Sequence, residues 1–506
     1  MQPSHARRAG VCMHISSLPG PYGVGTIGRH ARWFVDQMVR MGLSVWQVLP
    51  TGPTGYGDSP YQLLSVFAGN PILIDLPTLC QQGLLEPGEL QRVPMSALDE
   101  AEFGNIINEK NALLAIAAQR FTARASSGRQ SALAAFRAQH DELWLDDFAH
   151  YRVIKATQNE QPWHEWPTSL ADADPDALGA LNAAHADAIE KEKIIQFLFF
   201  EQWQALHDYA SQAGIELIGD VPIYVALDSA DTWSRRRLFQ LDERGRPTAV
   251  GGVPPDYFSA DGQLWGNPLY AWDEHARDGF AWWIERMKHA CALTDLVRID
   301  HFRGFEAYWS IPADAATARD GHWVSAPGYA LFDALRDAID PLPVIAEDLG
   351  VITEPVTALR RHYGLPGMAV LQFLLDEPHF HPDHVEEDRV CYTGTHDNDT
   401  TVSWFDGSGE RSDADTAHLQ RHVLELTGGD RDSVHIDLIR MALNTRARYA
   451  IAPMQDFLGL PTQARFNTPG TTDGNWRWRL RHEHISDDLC DRFYTLVRDS
   501  ERVLPK

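Results

Sequence analysis

Three carboxylates stand at the ends of short apolar segments in this sequence. Asp300 ends LVRID, Glu347 ends PVIAE and Asp397 ends YTGTHD, with His396 beside the last. Residues two apart in a strand share a face, so Arg298 is expected to point the same way as Asp300 and to favour its ionised form. A structural ion pair would explain Arg298 and Asp300 alone, but three strand-end carboxylates indicate a catalytic site.

Cleavage of a glycosidic bond is the chemistry that needs this set of groups. One carboxylate attacks the anomeric carbon, a second protonates the leaving oxygen, and a third can bind hydroxyls of the flattened sugar ring. Aromatic side chains predicted to lie in loops at or beyond strand ends could stack on sugar rings; these are Trp46, Tyr56, Tyr61, Tyr257, Phe258, Trp265 and Tyr270. Local packing is the more frequent explanation for any one of them, but their number supports a sugar ligand.

Eight apolar segments that break off into polar or Gly/Pro clusters are the elements that would position these residues. They span residues 10–20, 43–61, 215–225, 295–305, 342–350, 367–373, 389–399 and 448–460. Helix-like segments such as 28–42 and 354–364 separate several of them, and this alternation is typical of parallel βα units. The sequence therefore predicts an α/β fold, a (β/α)₈ TIM barrel whose chemistry lies at the carboxyl ends of the strands.

Long intervals between the segments predict excursions from this barrel. Residues 1–506 are expected to form a single catalytic barrel, with a helical subdomain at 77–214 inserted between the second and third strands. A loop-rich insertion is expected at 226–290. About 45 residues follow the eighth segment, which is too few for a C-terminal β-sandwich domain, so none is expected.

Bulk composition excludes several classes of function. A formal net charge of −26 would repel phosphate backbones and anionic membranes, so neither nucleic acid nor a membrane is an expected partner. Five widely spaced cysteines without a C-x-x-C pair suggest neither a disulfide framework nor a zinc ribbon. The chain does not begin with an apolar stretch of signal length, so a cytoplasmic location is expected.

Eight motifs together resemble the amylomaltases, the 4-α-glucanotransferases of glycoside hydrolase family 77 and relatives of the α-amylases. They are GPYGVGTIG, GYGDSPYQ, GDVPIYV, GGVPPDYFSADGQLWGNPLY, VRIDHFRGF, IAEDLG, GLPGMAVLQF and YTGTHDNDT. The match runs from about residue 10 to the PGTTDGNWRWRL segment near 480. The resemblance implies that Asp300 is the nucleophile, Glu347 the general acid/base and Asp397 the transition-state stabiliser.

The resemblance further implies a set of substrate-binding residues, which are Tyr61, Asp220, Tyr257, Phe258, Trp265, Asn267, Arg298 and His396. Tyr61 would stack below the donor sugar, and Asp220 would lie at the wall of the site. The segment 251–270 resembles a mobile loop over the acceptor side, with Tyr257 and Phe258 at its tip.

Three other motifs suggest different sites and are disfavoured. GVGTIG (23–28) matches G-x-G-x-x-G before a helix, but no acid follows about 20 residues on, where a dinucleotide ribose would need one. HFHPDH (379–384) has imidazoles at metal-like spacing, yet its prolines and acidic surroundings favour a solvated loop. DADPDALGA (172–180) lacks the glycine and the glutamate of a calcium loop. No metal is predicted.

The predicted function is transfer of α-1,4-glucan segments to the 4-hydroxyl of glucose or another glucan by a retaining double displacement. Expected partners are maltooligosaccharides, starch or glycogen-derived α-glucans, and glucose as acceptor; no cofactor is expected. The alternatives are an α-amylase-like hydrolase and a non-catalytic glucan-binding protein. The sequence does not distinguish a monomer from a homo-oligomer.

Overall fold

A barrel of parallel strands forms the centre of the molecule. The computed structural model describes residues 6–55, 58–94, 99–255, 260–377, 379–407, 411–471 and 473–504. In chain order its strands are β1 (Arg8–Cys12), β2 (Val45–Gln47), β3 (Glu216–Val221), β4 (Ala249–Val253), β5 (Gln263–Pro268), β6 (Leu296–Ile299), β7 (Ala307–Pro312), β8 (His322–Ser325), β9 (Val344–Ala346), β10 (Gly367–Val370), β11 (Arg389–Tyr392) and β12 (Tyr449–Pro453).

The eight parallel strands pair in the order β10-β11-β12-β1-β2-β3-β6-β9. The two end strands, β9 and β10, approach each other through a hydrogen bond from Ala346 N–H to Pro366 O of 2.8 Å. The sheet is therefore nearly closed, and each of the eight predicted segments overlaps one of its strands. The predicted (β/α)₈ barrel is confirmed.

Helices follow most of the barrel strands and cover the sheet. They are α1 (Arg29–Arg40), α2 (Leu76–Gln81), α3 (Phe103–Arg124), α4 (Ser127–His140), α5 (Asp146–Thr157), α6 (Thr168–Ala171), α7 (Pro175–Gln212), α8 (Ala230–Ser234), α9 (Trp272–Arg277), α10 (Ala281–Leu293), α11 (Gly328–Ala338), α12 (Glu354–His362), α13 (Leu371–Leu374), α14 (Thr401–Asp406), α15 (Asp413–Thr427), α16 (Val434–Asn444), α17 (Met454–Phe457) and α18 (Asp487–Asp499). Because helices cover the outer face and side chains fill the interior, the strands are short, apolar and buried on both faces.

Two clusters of buried side chains make up most of the core. One includes Val11, Trp46 and Ile451 of β1, β2 and β12. The other includes Val297 and Ile299 of β6, together with aromatic side chains of the insertion that follows β3. The strand that leads to Asp300 is thus held by packing on both sides, which fixes the position of its polar end.

The chain between β2 and β3 is helical for most of its length. α7 is its longest helix, and the Asp174 side chain caps it by accepting from the N–H groups of Asp176 and Ala177. Phe197 and Leu198 of α7 pack into the barrel core. These helices are fixed to the barrel, and the separate subdomain at 77–214 stays a prediction.

A four-stranded antiparallel sheet, in the order β5-β4-β7-β8, lies beside the barrel. The sequence predicts a loop-rich insertion for 226–290, whereas β4 and β5 form a hairpin there, with Val253 paired to Gln263 at the last rung. The strands AVGGV and QLWGNP contain glycines, which lower strand propensity and conceal the alternating pattern. The segment 251–270 is therefore partly strand. The lid tip, with Tyr257 and Phe258, lies outside the described residues.

The first and last barrel strands pair with each other in parallel along their full length, from Arg8↔Tyr449 to Cys12↔Pro453. The fully buried Arg502 guanidinium reinforces this junction. It donates to the carbonyl oxygens of Arg8, Leu443, Thr445, Ala447 and Arg448. One side chain thus joins β1, β12 and the C-terminal end of α16.

Candidate active site

Arg298 connects two carboxylates at the carboxyl ends of β3 and β6. Its Nη1 donates to both oxygens of Asp220, at 2.9 and 2.8 Å, and its Nη2 donates to Asp300 Oδ1 at 2.8 Å. The side chains of Arg298 and Asp220 are 4% and 0% exposed, whereas that of Asp300 is 30% exposed. A buried guanidinium needs paired charges, so Arg298 has Asp220 as its buried partner and Asp300 as a partner that stays partly exposed.

Glu347 lies directly after β9 and is almost fully buried. Its Oε2 accepts the His301 N–H at 2.6 Å and its Oε1 accepts the Leu349 N–H at 2.9 Å. His301 has a left-handed backbone conformation, φ 55°. Such strain is characteristic of functional sites.

The pKa of Glu347 is raised to about 7, first by burial and then by the negative charge of Asp300; the Arg298 guanidinium and the two backbone N–H groups oppose this rise. A carboxyl group that keeps its proton near neutral pH can act as a general acid. The buried setting of Glu347 and the charge of Asp300 thus give the two carboxyl groups different protonation behaviour, which is the arrangement that retaining glycosidases use.

Asp397 lies in the loop after β11 and is held by groups from two segments. Asn467 Nδ2 donates to Asp397 Oδ1 at 2.6 Å, and His396 Nε2 lies 3.4 Å from Asp397 Oδ2. Desolvation would raise the pKa of Asp397, but His396 and Asn467 outweigh it and hold that pKa well below its usual range. Asp397 therefore stays ionised and can accept hydrogen bonds from sugar hydroxyls.

Tyr61, in the loop after β2, contacts both Asp220 and His396. Its hydroxyl donates to Asp220 Oδ2 at 2.7 Å. Its ring stacks on His396 with 5.1 Å between ring centroids and 21° between ring planes. The ring thus lies between Asp220, the partner of Arg298, and His396, the neighbour of Asp397.

The β4–β5 hairpin brings two more predicted residues to the site. Trp265 is partly buried and packs edge-on against His301, with ring centroids 4.9 Å apart. Asn267 is buried and donates from Nδ2 to Val225 O at 2.8 Å, so its amide joins the hairpin to the loop after β3. Trp265 therefore neighbours the backbone that binds Glu347, while Asn267 is engaged within the protein.

Two aromatic residues predicted for sugar stacking are core residues instead. Trp46 is part of β2, is fully buried and donates its Nε1–H to Met13 O at 2.8 Å. Tyr270 is 1% exposed and donates its hydroxyl to Ile223 O at 2.6 Å. Trp46 lies within β2 and not in the loop predicted for it, whereas Tyr270 does follow β5, and both rings are buried. Tyr56 lies outside the described residues.

Sequence reasoning missed two polar neighbours of the site. Asn467 follows β12 in the sequence RFNTPG, so its place after the eighth strand was the available signal. His14 follows β1; its Nδ1 is buried without a partner, and its pKa is lowered to about 3 by burial and by His396. A lone histidine after a strand carries no sequence signal, because a core histidine looks the same.

The disfavoured motifs have structural roles or lie on the surface. The Asp75 carboxylate packs against Gly28 at the start of α1, where a dinucleotide would place its phosphates, and accepts from Thr26 Oγ1 at 2.7 Å. His381 and His384 are exposed, and Asp174 is a helix cap. Within the described ranges, His, Cys, Asp and Glu form no group of three that could hold a metal ion. Helices in the same ranges include none long and apolar enough to cross a membrane.

Comparisons with known proteins show the family of this chain. A family model described as 4-alpha-glucanotransferase matches residues 13–485. The chain is 45% identical over 509 residues to a 4-alpha-glucanotransferase from Thermus thermophilus, covering 98% of this chain and 99% of that protein. It is 43% identical over 506 residues to a 4-alpha-glucanotransferase from Streptococcus pneumoniae, with 98% of each chain covered.

Solved structures show the same architecture. The amylomaltase from Streptococcus agalactiae in complex with acarbose matches with a TM-score of 0.92 at 35% identity, covering 98% of this chain and 99% of that chain. The amylomaltase from Corynebacterium glutamicum matches with a TM-score of 0.78 at 18% identity, covering 98% of this chain and 75% of that chain. The second likeness is one of fold alone.

Proposed function

This chain belongs to glycoside hydrolase family 77, the 4-alpha-glucanotransferases, and from that premise we propose that Asp300, Glu347 and Asp397 carry out its reaction. The protein is a 4-alpha-glucanotransferase, an enzyme that transfers segments of α-1,4-glucans. Its family places it among transferases rather than among the α-amylase-like hydrolases or non-catalytic glucan-binding proteins considered from the sequence.

In the proposed mechanism Asp300 is the nucleophile. Arg298 binds its Oδ1, which leaves Oδ2 to attack the anomeric carbon of the donor glucan. Attack forms a covalent glycosyl-enzyme and inverts the anomeric centre once; attack by the acceptor inverts it again, so the product keeps the α linkage. Because Arg298 is also neutralised by Asp220, it can orient Asp300 without removing all of its nucleophilic charge.

Glu347 is the general acid and then the general base. With a pKa of about 7 it can hold a proton for the leaving glucan oxygen. It then takes the proton from the acceptor 4-hydroxyl, because the same group must reverse its role in the second step. The observation that carries the assignment is the buried position of Glu347 at the end of β9, where its two oxygens accept the N–H groups of His301 and Leu349.

Asp397 is proposed to stabilise the transition state. The ionised carboxylate is fixed by Asn467 and His396, and 45% of its side chain is exposed. Hydrogen bonds from ring hydroxyls to a fixed anion strengthen as the sugar ring flattens and gains positive charge. Tyr61 supplies the adjoining aromatic wall for the donor sugar.

We propose maltooligosaccharides and starch or glycogen-derived α-glucans as donors, and glucose or another glucan as acceptor. Neutral sugars suit a protein whose net charge of −26 would repel anionic substrates. The site as proposed needs no cofactor, because carboxyl groups supply the nucleophile and the proton.

The roles are tested with an activated donor, α-maltotriosyl fluoride, which needs no protonation of its leaving group. Glu347→Gln should lose glucan cleavage by a factor of at least 10³ and retain a first-turnover burst of fluoride release, after which a glycosyl group accumulates on Asp300 and is detected by mass spectrometry. Asp300→Asn should lose both activities. A sugar attached to Glu347 or Asp397 instead would overturn the assignment.

A further inference from the structure

Asp348, the residue after Glu347, lies where the barrel sheet is incomplete. Ala346 N–H bonds to Pro366 O across the β9–β10 junction. In a regular parallel ladder the next rungs would join the Met368 N–H to the Ala346 carbonyl and the Met368 carbonyl to the Asp348 N–H. Met368 instead meets side chains at both of its peptide groups.

Asp348 and Arg389 take the place of these rungs. Asp348 Oδ1 accepts the Met368 N–H at 2.8 Å, and Arg389 Nη1 donates to the Met368 carbonyl at 3.2 Å. Arg389 Nη1 also binds Asp348 Oδ2 at 2.6 Å, and Arg360 Nε lies 3.2 Å from the same oxygen. The Asp348 and Arg360 side chains are 2% and 0% exposed, so this is a buried network rather than a surface ion pair.

Gly367 leaves the space that this network needs. A Cβ at Gly367 would lie 2.6 Å from each Asp348 carboxylate oxygen and would also collide with Arg389 Nη1. Such contacts would force either the Asp348 carboxylate or the β10 backbone to move. The backbone of β10 is therefore shaped around the Asp348–Arg389 pair.

Both proposed catalytic carboxyl groups connect to this network. Glu347 precedes Asp348 in the chain, and its Oε1 accepts the N–H of Leu349, which follows Asp348. The Met368 sulfur accepts from Arg298 Nε at 3.5 Å, and Arg298 binds Asp300. Asp348 thus fixes the Glu347 segment directly, and through Met368 it contacts the side chain that orients Asp300.

We propose that Asp348 is a positioning residue that, with Arg389 and Arg360, sets the place of Glu347 relative to Asp300 by substituting for the missing β9–β10 rungs. This rests on the functions proposed above for Glu347 and Asp300. Retaining glycosidases need their two carboxyl groups about 5–5.5 Å apart. A displacement of about 1 Å can cost roughly 10²-fold in rate. A change in the network at this junction that moves Glu347 should therefore lower kcat.

The test is Asp348→Asn in the full-length enzyme, with Glu347→Gln measured in parallel. Asp348→Asn should lower kcat for maltotriose by about 10- to 100-fold with KM changed less than threefold. The variant should reduce the rate of maltotriose cleavage by a factor at least five times larger than the factor by which it reduces fluoride release from α-maltotriosyl fluoride. Only the glucan reaction needs a proton placed by Glu347. The basic limb of the kcat–pH profile should also shift.

Asp437→Asn is the matched control. Asp437 is a buried carboxylate of α16 that pairs with Arg440 and accepts from Ser433 Oγ at 2.5 Å, so its partners belong to α16 and its N-cap and not to the candidate site. Its substitution should lower the melting temperature and leave kcat unchanged. If Asp348→Asn behaves in the same way, Asp348 is structural only and the inference is wrong.

A second pair of variants applies if Asp348→Asn does not fold. Arg389→Lys keeps a cation beside Asp348, whereas Arg389→Gln does not, so Arg389→Lys should retain at least tenfold more kcat than Arg389→Gln at similar melting temperatures. Equal kcat for both would overturn the inference. If Glu347→Gln lowers activity on the glucan donor and on the fluoride donor equally, the proposed role of Glu347 is wrong and the inference about Asp348 is wrong with it. If only the Asp348 and Arg389 variants lower both activities equally, the inference is wrong and the proposed role of Glu347 stands.

Discussion

At the scale of single residues, the His396–Asp397 pair makes stability depend on pH. Burial would lower the pKa of His396, but Asp397 raises it above its ordinary value, while the pKa of Asp397 is lowered. The His396 contribution is fully present below about pH 6.5 and is lost as pH rises through its raised pKa. The Asp397 contribution is present above about pH 3.9 and is lost as pH falls through its lowered pKa.

We therefore expect His396→Gln to lower the melting temperature most between about pH 4 and pH 6.5, and progressively less as the pH rises beyond that window. Thermal unfolding monitored by circular dichroism across pH 4–9 measures this difference. The exposed His379→Gln is the control and should show no such dependence. A wild-type advantage that grows above pH 8 would contradict the assignment of charge to this pair.

The raised pKa of Glu347 predicts how glucan cleavage declines at high pH. Glucan cleavage should lose about tenfold in kcat/KM for each pH unit above roughly pH 7, because the acid form of Glu347 in the free enzyme disappears. Fluoride release from α-maltotriosyl fluoride should not follow this decline. Stopped assays with both donors in the same buffers compare the two profiles. Parallel declines would mean that another group is responsible.

At the scale of elements, the glycine loop before α1 is a packing device. A Cβ at Gly25 would lie 2.7 Å from Leu18 N and would overlap the Ile15 carbonyl, so the loop can close on the turn after β1 only without a side chain. Gly25→Ala should lower the free energy of unfolding by about 2–4 kcal/mol.

Gly179 in α7 is the matched control for Gly25. Nothing lies within 4 Å of a Cβ built at Gly179, so Gly179→Ala should stabilise the protein by about 0.5–1 kcal/mol through helix propensity. Urea unfolding of both variants measures the difference. A neutral Gly25→Ala would mean that the loop can open at little cost.

The β4–β5 hairpin is the element proposed to favour transfer over hydrolysis. Water is in large excess over any sugar acceptor, so transfer requires binding energy that water cannot gain. The hypothesis from the sequence is that Tyr257 and Phe258 supply it by stacking on the incoming sugar. Tyr257→Ser and Phe258→Ser should then weaken transfer and raise the hydrolysed share of maltotriose.

Chromatography of the maltooligosaccharide ladder, together with net reducing ends, measures that share. Tyr329→Ser, an exposed aromatic residue on α11, is the control and should leave the ratio unchanged. If both tip variants keep the wild-type ratio, the acceptor is bound by other residues.

At the scale of the whole molecule, the barrel was predictable because each of its strands is a short apolar run that ends in polar residues. Arg298 and Asp300 were also accessible, since side-chain alternation requires residues two apart to share a face. The antiparallel sheet was not, because β4 and β5 carry glycines. The rungs replaced by Asp348 were hidden as well, since contacts between distant strand ends leave no local pattern.

Trp46 is a residue that the sequence wrongly predicted to bind sugar. It follows the apolar pattern of a strand, but sugar-binding aromatics and core aromatics have the same composition, and only burial separates them. Asn467 lies 70 residues from the carboxylate that it binds, so its partner could not be deduced from spacing. The sequence therefore predicted well which residues end the barrel strands, and less well which side chains are buried and which partners they contact.

The pairing of β1 with β12 has a consequence for biosynthesis. These strands are adjacent in the barrel but 441 residues apart from Arg8 to Tyr449, and a ribosome adding about 5–20 residues per second needs roughly 20–90 s to span that distance. During this interval β1 has an open edge toward its missing neighbour. Nascent chains stalled before residue 449 should therefore remain sensitive to protease and recruit chaperones, and resistance should appear only after Arg502 has left the exit tunnel.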